Sequence, residues 1–231
     1  MTTIGSINTC TVGLDRCNCF ESLSDEEMKL LNENIVEVKF KKGETICKQG
    51  SFASHVMYLC KGLAKVYMEN QNETLILKII PADNLVGLTS LFNGNNVFQY
   101  NISAYVDSVV KLIDINAFRE IINKNAKFAT EIIQIINSNT VQTYGRFFCL
   151  TQKQSYGRLA DIILCLSDRI YKQRSFELLL SRKDFAELSG MTTETVIRML
   201  KKFKDDELIE IEGKNFTIKN YDLLKKISDY G

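Results

Sequence analysis

The hydrophobic period of this 231-residue chain changes at Asp114, and that change limits its possible folds more than any other feature. Val36, Val38 and Phe40 alternate with polar residues. The pattern continues through TICKQG, HVMYLCKG, LAKVYMEN, TLILKIIP, YNISAYV and SVVKLID. Residues two apart share one face of a strand, so these segments read as short strands with one buried side. Gly43, Gly50, Gly62, the ENQNE turn and the single proline, Pro81, separate them. Past Asp114 the spacing becomes helical. A run of strands followed by a run of helices predicts an α+β chain, with the strands closed into a barrel or sandwich of two covering sheets.

Ahead of the strands, Ser24 and Glu27 have the spacing of a capping box, with Met28, Leu30 and Leu31 as the apolar side of a short helix. After them, the segment from Ile115 to Leu150 holds no proline and only Gly145, and it divides near Asn123 to Ala126. In the longer part Phe128, Ile132, Ile135, Ile136, Tyr144 and Phe147 recur at helical spacing, and Asn139 interrupts them. Two readings stand. The seam packs across a homodimer axis with Asn139 fixing the register, or it covers its own barrel. Gln154 to Ile170 predicts a further helix with Leu159, Ile162, Ile163 and Leu166 inward. The expected divisions are a cysteine-containing tail (1–20), a barrel (21–126), a dimerisation helix and hinge (127–152) and a C-terminal domain (153–231).

The C-terminal domain carries the motif with chemical content, LSRKDFAELSGMTTETVIRMLKKF. Ser181 caps a first helix whose Phe185, Ala186 and Leu188 face inward. Gly190 makes the turn, and Thr192 caps a second helix with Val196, Met199 and Leu200 as its packing stripe. That leaves Glu194, Ile197, Arg198 and Lys201 on the opposite surface. A carboxylate accepts from cytosine N4, and a guanidinium grips guanine O6 and N7. Glu194 and Arg198, four residues apart, therefore suit a recognition helix in a major groove, although the pair also suits a surface ion pair. Thr192 and Thr193 are placed for a phosphate or a thymine methyl. Ser181, Lys183, Lys201, Lys202 and Lys214 suit the DNA backbone, which positions without specifying. Leu208 to Ile218, turning at Glu212 to Asn215, reads as a wing.

These stretches resemble the Crp/Fnr superfamily of bacterial transcription regulators, over about residues 20–228. FKKGETICKQG resembles the opening strand and turn of its barrel, and NLVGLTSLF resembles its ligand-cassette helix. SRKDFAELSGMTTETVIRMLKKFKDDELI resembles its helix-turn-helix, with GMTTETVIRML very near the family's recognition helix. The resemblance implies a cyclic-nucleotide-binding-domain-like barrel (a double-stranded β-helix), a long dimerisation helix and a C-terminal winged helix-turn-helix. It also implies a homodimer on near-palindromic double-stranded DNA, acting on RNA polymerase. Glu194 and Arg198 match two base-reading positions. Thr193 stands where the cyclic-AMP receptors carry another base-reading arginine, and Ile197 where the oxygen-sensing branch often carries serine.

By the same resemblance the effector pocket would lie around Gly87, Leu88, Thr89, Ser90, Phe98 and Gln99. Yet Leu88 follows Gly87 where the cyclic-nucleotide receptors carry glutamate, and no arginine occurs from Gly87 to Tyr105. A buried phosphodiester without a cationic donor is costly, so cyclic AMP and GMP are not expected. The oxygen-sensing branch suggests an iron–sulfur cluster, for which Cys10, Cys17 and Cys19, with Cys47 or Cys60, are the candidates. The spacing of TCTVGLDRCNCF does not reproduce that branch. Thiol redox sensing and unligated cysteines remain the alternatives, with Cys149 and Cys165 read as core packing. No cofactor is specified, and the effector stays unidentified.

The remaining composition fits this reading. A net charge of +1 does not advertise nucleic acid, but a local basic face suffices for binding. One histidine excludes a histidine-rich catalytic metal site, and no nucleophilic triad or phosphate-cradling loop is visible. An enzyme is therefore not expected; a non-DNA interaction module is the remaining rival. MTTIGSINTC lacks the pattern of a secretory signal, no apolar run approaches a membrane span, and seven cysteines without a framework spacing suggest a reducing cytoplasm.

Overall fold

The structure, a computed structural model, describes residues 9–13, 17–71, 73–92 and 94–231. Part of the N-terminal tail, residues 1–8 and 14–16, lies outside the described residues. The chain forms two compact units. One comprises Gly13–Glu73 and Lys78–Thr140; the other comprises Met1–Val12, Thr74–Leu77 and Val141–Gly231.

The first unit opens with helix α1 (Asp25–Glu33), started by the expected capping box: Ser24 Oγ accepts from Glu27 N, and the Glu27 carboxylate accepts from Ser24 N. Eight strands follow: β1 (Ile35–Phe40), β2 (Thr45–Cys47), β3 (His55–Lys61), β4 (Leu63–Asn70), β5 (Glu73–Pro81), β6 (Asn84–Val86), β7 (Asn101–Ala104) and β8 (Ser108–Asp114). They make two four-stranded sheets, in the orders β1-β8-β3-β6 and β2-β7-β4-β5. Non-consecutive neighbours in each sheet give a jelly-roll-like arrangement. β8 is the central partner, antiparallel to β1 through Val36↔Leu112 and to β3 through Val56↔Ile113. β6 lies inside the segment read as the cassette helix, and that segment holds only one 3₁₀ turn, Leu88–Ser90. Three residues are too few to show a strand period, so β6 left little mark in the sequence.

Helix α2 (Ile115–Lys124) starts on Asp114, whose carboxylate accepts from Asn116 N and Ala117 N. The break at Asn125 and the start of α3 (Ala126–Gln152) fall where the sequence divides them. Phe118 of α2 meets Phe128 of α3 edge-on at 5.3 Å, and Phe20 meets Tyr58 of β3 the same way. Phe128 and Ile132 are fully buried in this cluster with Val56, Leu85, Leu88 and Ile113. Of the two readings of the helix seam, these two residues follow the second: they cover their own unit.

The second unit contains α4 (Ser155–Leu166), β9 (Ser175–Glu177), α5 (Arg182–Ser189), α6 (Thr193–Asp205), β10 (Ile209–Glu212), β11 (Asn215–Ile218) and α7 (Tyr221–Tyr230). Leu159, Ile162, Ile163 and Leu166 of α4 are buried as their spacing predicts. Gly157 is required by packing: a Cβ there would stand 2.4 Å from the carbonyl oxygen of Gly231, beyond the end of α7. The wing is three-stranded, in the order β10-β11-β9, with Ile209↔Ile218 and Phe216↔Phe176 paired. Tyr171, Phe176 and Phe216 stack behind it. β9 is a strand the sequence does not announce, because only Phe176 of its three residues is buried.

Candidate nucleic-acid interface

Local chemistry fixes both helices of the motif. Ser181 and Asp184 form a second capping box at the start of α5. Gly190 closes α5 at φ 62°, a left-handed angle suited to glycine, and Thr192 Oγ1 accepts from Thr195 N to open α6. Phe185 and Leu188 of α5 are buried, as are Val196, Met199, Leu200 and Phe203 of α6. The apolar stripe of α6 therefore faces the unit's core, and the opposite side is turned to solvent.

That side carries the residues singled out from the sequence. Glu194 and Arg198 are exposed, Thr193 is half-buried, and Ile197 keeps 52% of its exposure. Among the described residues, neither Glu194 nor Arg198 makes a side-chain hydrogen bond or ion pair, so the surface ion pair is not formed. The lysines divide. Lys201 is exposed and unpaired among the described residues, whereas Lys202 meets Asp206 at 2.7 Å, Lys183 meets Glu187 at 3.7 Å and Lys214 meets Glu177 at 3.7 Å. All three pairs are solvent-facing on the lysine side, so they cost little to exchange for phosphate. Ser181 Oγ is engaged with Asp184, which leaves its hydroxyl less free than the sequence implies.

The residues expected around an effector are built differently. Gly87 adopts φ 89° and its amide donates to Tyr100 Oη. Leu88 and Phe98 are buried, and Ser90 Oγ donates to Val97 O. Thr89 and Gln99 are exposed, and Gln99 Nε2 donates to Asn95 Oδ1. Arg119 of α2 reaches this segment, but its guanidinium is occupied: Nε and Nη2 donate to Leu91 O and Ser90 O. A void of about 10 Å³ lies between Ile46, Leu59, Ala64, Ile80, Val86, Ile102 and Val110. That is at most one water's worth of space, and its lining is apolar.

Comparison with known proteins accounts for both units. Residues 37–125 match the cyclic nucleotide-binding domain, and residues 157–227 match the Crp-like helix-turn-helix domain. The chain belongs to the Crp/Fnr superfamily. It is 26% identical over 216 residues to the fumarate and nitrate reduction regulatory protein of Escherichia coli K12, covering 90% of this chain and 85% of that one. FixK2 from Bradyrhizobium japonicum shares its fold at a TM-score of 0.75 and 18% identity, over 84% of this chain and 96% of the other. A CooA variant from Carboxydothermus hydrogenoformans does so at 0.73 and 18%, over 96% and 99%. The helix-turn-helix is thus the DNA-binding domain of a Crp/Fnr transcription regulator, and the chain is not an enzyme.

Within this Crp/Fnr chain the cysteines are not gathered as cluster ligands. Among the described residues, no three His, Cys, Asp or Glu side chains converge in a metal-binding group. Cys10 is bonded to Cys165, and Cys17 to Cys19. Cys165 is therefore not the lone core thiol its apolar setting on α4 implies; the tail supplies its partner. Cys47, Cys60 and Cys149 are free thiols. Burial pushes Cys47 up to about 12 and Cys149 to about 11, and also raises Cys60, so all three resist forming the thiolate that binds metal. These residues do not fit an iron–sulfur cluster.

Sequence reasoning missed the side chains at the α3–α4 junction. Lys153 and Asp161 form a buried ion pair at 2.9 Å, and Arg158 Nη1 donates to Leu150 O at the end of α3. Arg146 donates from Nη2 to Leu188 O at the end of α5. Arg146 next to the apolar run Phe147–Leu150 is the one sequence signal that could have pointed there.

Proposed function

We propose that the chain acts as a homodimer that reads a near-palindromic DNA site through α6 and regulates transcription in the cytoplasm by acting on RNA polymerase. The observation that carries this reading is the pair Glu194 and Arg198, exposed one turn apart and unengaged by other side chains among the described residues. In a major groove Arg198 donates to guanine O6 and N7, and Glu194 accepts from cytosine N4. Thr193 and Ile197 contact neighbouring base edges, the latter through its side-chain methyls. Thr192, Ser181, Lys183, Lys201, Lys202 and Lys214 hold the backbone, helped by the free amides at the start of α6.

The homodimer reading rests on α3. Ile133 and Ile136, and further along the helix Tyr144, Phe147 and Phe148, are large apolar side chains left exposed. A second copy of the same helix covers such a stripe in an isologous contact. Ile135 is half-buried on its own unit and Asn139 accepts from Lys78, so the dimer seam is displaced from the one that begins at Phe128.

The barrel unit takes an effector that is not a cyclic nucleotide, because no arginine occurs from Gly87 to Tyr105 and Arg119, which reaches this segment, is spent on Leu91 O and Ser90 O. Selection from random duplex DNA by the purified protein tests the whole reading. Enrichment of a two-fold symmetric site is the expected result. Recovery without sequence enrichment would favour the interaction-module rival.

A further inference from the structure

Residues Thr9 to Val12 form a strap across the second unit. Thr9, Thr11 and Val12 are buried there, although the stretch that makes up most of that unit, Val141–Gly231, starts more than half the chain later. Gln142 of α3 donates from Nε2 to Cys10 O and Val12 O, at 2.9 and 2.5 Å. Thr9 Oγ1 donates to Asp161 Oδ1 of α4 at 2.7 Å, and Lys153 Nζ lies 3.4 Å from Thr9 Oγ1. Cys10 is bonded to Cys165 of α4, with 5.5 Å between their Cα atoms. The strap therefore touches α3 before the α3–α4 junction and α4 after it. Opposite motion of the two helices would have to break it.

We propose that Cys10 and Cys165 form a thiol–disulfide switch on this junction. When oxidised, the strap is covalently part of α4 and holds α4 against α3 in one orientation; when reduced, only hydrogen bonds hold it. α4 packs against α5, and Arg146 of α3 holds the end of α5, so the junction sets the position of the helix-turn-helix. This inference rests on the DNA-binding reading above. A fixed junction pre-organises the recognition helices, so the oxidised form binds its site more tightly, because less motion is frozen on binding.

The two cysteines differ in the way the chemistry requires. Cys10 is half-buried and reachable, whereas Cys165 is buried beneath it. The Cys10 thiolate attacks a low-molecular-weight disulfide, RSSR, and releases the first RS⁻. The Cys165 thiolate then attacks the Cys10 sulfur of the mixed disulfide and releases the second. The protons lost by the two cysteines end on the two RSH molecules, and two electrons pass from the protein to RSSR. In a reducing cytoplasm such a bond is transient, as a signal must be. Cys149 lies near the same polar group, with Sγ 3.7 Å from Asp161 Oδ2, but its buried thiol stays protonated and does not compete.

The test equilibrates the full-length protein with reduced or oxidised glutathione and makes three measurements. Peptide mapping should find Cys10 linked to Cys165 only in the oxidised sample. Amide hydrogen exchange across residues 150–156 should be slower there, and affinity for the selected duplex should be higher by about tenfold, a usual size for coupling between sites. Cys10→Ser should abolish both differences, while the Cys17→Ser/Cys19→Ser double variant should retain them. Equal exchange and affinity in the two states, tighter binding when reduced, or a redox response surviving in Cys10→Ser would overturn the proposal. If neither form binds any duplex while exchange at the junction still follows redox state, the strap's locking stands and the DNA reading falls.

Discussion

Lys153 and Asp161 meet at 2.9 Å with 11% and 12% of their side-chain surfaces exposed, and Thr9 and Ser228 donate to the same carboxylate oxygen. Four elements of the second unit thus share one buried anion. Removing the carboxylate strands the ammonium and two hydroxyls. Asp161→Ala should cost about 3–5 kcal/mol, the usual penalty for breaking a buried pair by losing one partner. Urea denaturation would show it as a lower midpoint, and a midpoint unchanged within error would mean that water already serves the site.

Arg198 and Lys201 lie three residues apart on α6 but should fail in different ways. Arg198→Ala should weaken the selected duplex by about 1–3 kcal/mol and a scrambled one much less, since a bidentate base contact is lost. Lys201→Ala should weaken both alike and lower the salt dependence of binding by about one ion. Fluorescence anisotropy at several salt concentrations separates the two. Equal losses on both duplexes for Arg198→Ala would count against base reading.

Gly62 joins β3 to β4 at φ 103°, where a Cβ would lie 2.2 Å from Ser108 Oγ and 2.9 Å from Ser108 Cα. The second of these is backbone of β8, the central strand, and cannot swing aside. Gly62→Ala should therefore destabilise by about 1–3 kcal/mol through left-handed strain and the clash together. Thermal unfolding of the variant checks this directly.

Much of this was legible in the residues because local chemistry decided it. Ser24 with Glu27, Ser181 with Asp184, Gly190, and the turn at Gly213 each specify their own backbone. The stripe of Val196, Met199 and Leu200 states which face is buried, whereas the alternation of Val36, Val38 and Phe40 marks a strand without a buried face, since Val36 keeps 58% of its exposure and the other two are half-buried. Other features depend on partners far along the chain. Nothing near Cys165 announces Cys10, 155 residues away. Lys153, Arg158 and Asp161 look like ordinary surface charges until α3 and α4 meet. The strands β6 and β9, at three residues each, are too short to display a period.

Tyr144 and Phe147 keep 67% and 69% of their surfaces exposed on α3, although both are large and aromatic. If a second copy covers them, a charge on that stripe faces its own image. Phe147→Asp should shift the protein from dimer to monomer at micromolar concentration while leaving circular dichroism unchanged. Sedimentation velocity reads the first and a thermal melt guards the second. A variant that still sediments as a dimer would move the interface elsewhere. A lone subunit loses the paired half-site contacts, so its duplex affinity should fall with it.

Lys78 of β5 donates to Asn139 of α3 at 2.5 Å, and burial lowers its pKa from 10.5 to about 8. The unfolded chain keeps this proton up to about pH 10.4, whereas the folded one loses it near pH 8. Between those values the unfolded state binds more protons, so the lysine's contribution to stability rises with pH. Below pH 8 both states are protonated and the full cost of enclosing the ammonium is present. Lys78→Met should therefore be more stable than the parent at pH 7, by on the order of 1–3 kcal/mol after loss of the Asn139 bond. Its advantage should shrink as pH is raised from 8 to 10. Denaturant midpoints of the two proteins, compared at pH 7, 8, 9 and 10, measure that gap and cancel the titration of all shared groups. A gap that stays constant over the range would show that Lys78 is charged in the folded protein throughout, with water reaching its ammonium.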